Sequence, residues 1–97
     1  MRTDVDIAYD LAPMLALWDA EAKRARRSVR ATDRLDRRRS FAERAAEDVA
    51  PKAQKWGVSQ VVRGLSRGAK RFGRWPLREL VAFQKARLVS YRRTDAA

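Results

Sequence analysis

Residues 59–72 read Ser59-Gln60-Val61-Val62-Arg63-Gly64-Leu65-Ser66-Arg67-Gly68-Ala69-Lys70-Arg71-Phe72. Val61, Val62, Leu65, Ala69 and Phe72 form one apolar stripe at helical spacing, which predicts an amphipathic helix rather than a strand. Arg63, Arg67 and Lys70 fall on the opposite side, with Arg71 beside them. Arg74 and Arg78 carry the run past Gly73 into the next segment. The stretch thus predicts a helix about 21 Å long with one cationic face.

Helical spacing continues in both directions. Gly73 closes the helix, and Trp75-Pro76 opens another over about 76–92, with Leu77, Leu80, Val81, Gln84, Leu88 and Tyr91 inward. Upstream, Gly57 is a stop and Ser59 a fresh N-cap. Pro51 disfavours helical geometry at Ala50, so 51–56 reads as one or two separate turns. Ser40-Phe41-Ala42-Glu43 has capping-box form and opens a helix burying Phe41, Ala42, Ala45, Ala46 and Val49. Met14, Leu15, Trp18, Ala22, Ala25 and Val29 form the stripe of a first helix. Pro13 starts that helix; past Ala31 it either runs on as an Arg-studded rod to about residue 38, the favoured reading, or breaks near Thr32-Asp33. Residues 4–12 form a short preceding turn with Val5, Ile7 and Leu11 inward. Strand signals are nearly absent. The expectation is all-α: a compact bundle of four to five short helices in a single domain spanning 1–97.

Charge is segregated along this chain. Residues 1–22 carry −4, residues 23–39 carry +7, residues 40–50 carry −2 and residues 51–97 carry +10, within a total of +11. From residue 51 onward there are twelve Lys or Arg and two acids, and Glu79 is the only carboxylate between Pro51 and Thr94. Arg outnumbers Lys 18 to 5. GC-rich coding accounts for that preference but not for the excess of bases over acids. A one-sided cationic surface repels itself and points to a polyanionic or acidic partner, and solvated helix faces usually interleave both signs.

Several function classes find no support. The chain has no Cys and no His, which removes disulfides, thiolate metal sites and the commonest general base. No cofactor site and no enzyme activity are expected. Asp4, Asp6 and Asp10 lack the glycine turn and bidentate Glu of a calcium loop. Gly64 to Lys70 lacks the spacing of a phosphate loop; Gly64 and Gly68 read instead as a close-packing face. The longest uncharged stretch near the start, Leu11 to Trp18, is far shorter than the roughly 20 residues that span a bilayer. Acids stand where a signal peptide would be positive. A cytoplasmic protein is expected, nucleoid-associated if it binds DNA.

The stretch Ala53 to Gln60 resembles the turn of a helix-turn-helix, with a small residue four before Gly57 and Ser59 at the start of the following helix. The resemblance implies that this helix enters the major groove with Ser59, Gln60 and Arg63 near base edges. It departs from the motif at Arg63 and Ser66, where core residues are the rule.

The expected function is therefore nucleic-acid binding, with DNA favoured over RNA, by a transcriptional regulator or accessory factor of bacterial or phage type. Arg63, Arg67, Lys70, Arg71, Arg74 and Arg78 are the phosphate contacts. Arg26, Arg27, Arg30, Arg34, Arg37 and Arg38 form a secondary patch, which Asp33, Asp36 and the acidic segment 40–50 can partly neutralise. Trp75, set among cations, suits stacking on single-strand bases or an anionic membrane surface; the simpler reading has it stapling the last helix to its neighbour. Segment 4–22, with Tyr9 and Leu17 exposed, is the expected protein contact, and a homodimer would double the phosphate contacts. The alternative is a non-catalytic interaction module, an inhibitor or adaptor, whose basic face docks on an acidic protein.

Overall fold

In the computed structural model, which describes residues 3–73 and 75–96 with side chains to Arg93, neither internal proline divides the chain. Four helices form: α1 (Thr3–Arg27), α2 (Ala31–Trp56), α3 (Val58–Phe72) and α4 (Trp75–Ala96). Among the described residues there is no strand, and no helix is long and apolar enough to cross a membrane.

Pro13 lies inside α1 and Pro51 inside α2, correcting the helix start and the boundary expected there. Proline removes one hydrogen bond and clashes with the carbonyl four residues back. Tyr9 and Glu47, the residues whose carbonyls are released, are exposed, as are both prolines, so neither break in the hydrogen-bond ladder faces the core. The remaining cost is offset by burial on both sides of each proline: Ile7, Leu11, Met14, Leu15 and Trp18 in α1, and Val49 before Pro51 in α2.

The real break falls at 28–30, where the sequence shows no Gly or Pro. The amide of Ser28 donates to the Ala25 carbonyl at 3.2 Å, tightening the last turn, and Arg30 then turns extended at φ −90°, ψ 128°. The core stripe of α1 ends at Ala25, so continued helix would leave the bundle with nothing to bury. Val29, expected inward, is 93% exposed as a result. The Arg-studded rod exists, but it is the first half of α2, where Ala31 to Arg37 are all exposed. Ser40 sits in mid-helix rather than at a cap, its carbonyl accepting from Arg44 Nε at 3.4 Å.

α1 and α2 pack antiparallel, and polar pairs fix their register. Arg44 clasps Glu21 through two nitrogens at 2.5 and 2.7 Å. Trp18 Nε1 donates to Asp48 at 3.0 Å, and Trp56 Nε1 donates to Asp10 at 2.6 Å. α3 and α4 complete the bundle around Phe41, Ala45, Val61, Leu65, Leu77, Val81 and Leu88. Gln84, almost fully buried, donates to the Ala42 carbonyl at 3.1 Å and so ties α4 to α2. Val5 and Tyr91, expected inward, are exposed.

Two glycines make the corners around α3. Gly57, at φ 86°, donates to the Ala53 carbonyl, and Gly73, at φ 66°, donates to that of Ala69. Gly57, not Ser59, takes the N-cap position, so Ser59 lies inside the first turn of α3. The corner is a single non-helical residue, where a helix-turn-helix has a turn of roughly three or four.

Candidate nucleic-acid interface

α3 is held in place from two sides. Val61 and Leu65 are fully buried against the bundle. A Cβ added at Gly64 or Gly68 would overlap the side chain of Leu11 or Leu15, so the bare backbone of α3 lies against α1. On the α4 side, Lys85 Nζ donates to Ser66 Oγ at 3.1 Å.

This seating leaves one face of α3 to solvent. Arg63, Arg67, Lys70 and Arg71 are all exposed. At 100° per residue they fall within about 100° of arc, opposite Val61 and Leu65. Ser59 is exposed on the same side, and Gln60 is half-buried beside it. α3 contains no acidic residue. None of its four cations forms an ion pair among the described residues. Arg78 is exposed at the start of α4. Arg74 lies outside the described residues. Beside the cationic face runs a shallow groove of about 150 Å³, floored by Leu11, Leu15, Gly64 and Gly68, with Gln60, Arg63, Arg67 and Arg71 on one rim and Asp4 on the α1 side.

Three carboxylates of α1, Asp10, Asp19 and Glu21, are engaged away from α3, whereas Asp4 lines the groove beside it. Asp10 of α1 accepts from Lys52 and Trp56 and pairs with Lys55 at 3.5 Å. The Lys52 ammonium, then the Trp56 N–H, hold its carboxyl down at about 2, against partial desolvation that acts the other way. Glu21 is taken by Arg44, and Asp19 pairs with Lys23 at 3.4 Å. Part of the acidity of α1 is thus neutralised by α2 and by its own Lys23. Two of the twelve bases after residue 50, Lys52 and Lys55, belong to that internal account, while the cations of α3 do not.

The secondary patch divides. Arg26, Arg34 and Arg38 line a cleft together with Trp75, where the end of α1 and the start of α2 meet the α3–α4 corner. Arg27, Arg30 and Arg37 are exposed and do not line it. The expected partners, Asp33 and Asp36, form no ion pair among the described residues. Arg38 instead pairs with Glu79 of α4, and its guanidinium lies 4.7 Å from the centre of the Trp75 ring. Trp75 is 61% exposed, so it is no buried staple; its link to α2 is a cation–π contact. Sequence reasoning missed this cleft because it joins Arg26, Arg34, Leu35 and Arg38 to Gly73, Trp75 and Pro76. The one signal available was Glu79, a lone acid in a basic segment.

No family model, no curated protein and no solved structure matches this chain. The reading of the site rests on its own geometry.

Proposed function

We propose that the chain is a small nucleic-acid-binding protein that sets the cationic face of α3 against the phosphates of duplex DNA. The observation that carries the reading is the exposed line Arg63, Arg67, Lys70 and Arg71 on a helix without acids, none of the four in an ion pair among the described residues. Four cations over about 12 Å of helix release counterions from a phosphate backbone and gain affinity largely independent of sequence. Arg78 joins them from the start of α4. Ser59, Gln60 and Arg63, at the N-terminal end of α3, are the base readers, because that end enters a groove first. α3 acts here through a one-residue corner rather than the longer turn of a helix-turn-helix. A regulator or accessory factor of this size gains specificity from a second copy or a protein partner. Val5, Tyr9 and Leu17, exposed along α1, offer the apolar surface for either.

Titration of labelled duplex DNA, single-stranded DNA, RNA and polyglutamate at two salt concentrations tests the reading. Reversing charge in Arg67→Glu, Lys70→Glu and Arg71→Glu together should abolish duplex binding and leave the helical circular dichroism unchanged. Undiminished duplex affinity in that variant refutes the assignment to α3. Binding to polyglutamate but not to duplex identifies the protein-docking module instead.

A further inference from the structure

The cleft at the α3–α4 corner has a composition that the α3 face lacks. α3 presents cations without an exposed ring, whereas this cleft sets an exposed indole among arginines. Its volume is about 730 Å³, within the range of pockets that hold small ligands. One wall is Trp75, with Arg38 over its ring. Arg38 is anchored by Glu79, so it serves as a fixed plane rather than a free phosphate ligand. Leu35, 54% exposed, supplies an apolar edge. Arg26, from the last turn of α1, and Arg34, from the first turns of α2, are exposed and form no ion pair among the described residues.

Each part fits one half of a nucleotide. A flat π surface beside a guanidinium plane stacks a base, and two unpaired arginines bind its phosphate. A base inside a duplex has both faces covered by its neighbours, so only an unpaired base can enter. We propose that this cleft is a nucleotide slot that takes an unpaired base of a nucleic-acid strand, the base against Trp75 and Arg38, its phosphate on Arg26 and Arg34. The inference rests on the reading of the chain as a nucleic-acid binder, but it uses residues separate from the α3 face.

Fluorescence anisotropy with labelled oligothymidylate tests it. Trp75→Ala should weaken oligothymidylate binding about 5- to 150-fold, the loss of one stacked base, and leave duplex affinity unchanged. Trp75→Phe, which keeps a ring, should recover most of the loss. Arg26→Gln with Arg34→Gln should weaken binding and reduce the salt slope by about 1.4, the share of two phosphates on a single strand. Equal oligothymidylate affinity in the wild type and Trp75→Ala overturns the slot. So does an equal loss on an abasic phosphodiester oligomer, which has nothing to stack. Binding of thymidine monophosphate without binding of the oligomer overturns the strand assignment. Failure of the α3 reading is distinct: the triple charge reversal in α3 would then leave duplex affinity intact, whatever Trp75→Ala does to the single strand.

Discussion

Neutralising Arg67, Lys70 and Arg71 together, each to Gln, should flatten the salt dependence of duplex binding without touching the fold. The wild-type face presents four exposed cations on α3 and a fifth at Arg78, each a phosphate contact on the proposed reading. At about 0.9 per phosphate, log affinity should fall against log salt with a slope of about −3.6 to −4.5. Raising salt from about 50 to 200 mM then costs the wild type about 150- to 500-fold in affinity. The triple variant keeps one or two contacts, so its slope should be about −0.9 to −1.8 and its loss about 3- to 12-fold. The three side chains are exposed and form no ion pair among the described residues. Gln has a helix propensity close to that of Arg and Lys, and thermal stability should stay within about 0.5 kcal/mol per site. Anisotropy with a 20-base-pair probe (about two turns of duplex) at four salt concentrations measures both slopes. A wild-type slope shallower than about −1, or a triple variant with the wild-type slope, refutes the placement of phosphates on α3.

Two further outcomes probe the scaffold. Gly64→Val forces a branched side chain into the space of Leu11, which is 1% exposed. It should cost about 1–3 kcal/mol by overpacking, seen as a lower urea midpoint; an unchanged midpoint means that α3 does not lie against α1 at Gly64. The second outcome is a pH dependence centred on Asp10. Its carboxyl is lowered in the folded state from 3.8 to about 2. A depressed carboxyl contributes stability that is complete above its unfolded value and is lost as pH falls through the folded one. The stability gap between the wild type and Asp10→Asn should therefore be widest above pH 4 and narrow between pH 4 and pH 2, read from urea midpoints; a gap constant across that window refutes the Lys52–Asp10–Trp56 contact.

The parts of the fold that were legible in the sequence are those fixed by local chemistry. Gly57 and Gly73 stand at the ends of α3 because the corners there need positive φ, and the apolar period of α3 identified its buried side. Pro13 and Pro51 misled because each sits on a solvent-facing turn, where the broken ladder does not face the core, a placement that sequence does not display. Ser40 and Glu43 matched a capping box although α2 runs unbroken through them. The turn at 28–30 falls before the break near Thr32-Asp33 that the sequence offered as its alternative, because it answers to the exhaustion of the α1 core stripe, a tertiary cause. The cationic line of α3 was legible for the same reason as its core. The Trp75 cleft and the use of Asp10, Glu21 and Glu79 were not, since each depends on residues brought together from distant parts of the chain.

The placement of the unpaired α3 cations apart from the α1–α2 ion pairs has a kinetic consequence. The unpaired cations of α3 lie on a different face from the acid–base pairs that join α1 to α2, so charge is distributed unevenly as well as in excess. The molecule measures 45 × 31 × 18 Å, whereas the Debye length in physiological salt is about 8 Å. A polyanion therefore exerts its torque on the near side of the protein alone, and only during the last nanometre of approach. On the proposed reading, encounters within that distance that begin with α3 foremost are the ones favoured. Salt should slow association as well as weaken the complex, because it shortens the distance over which the protein can be aligned before it touches.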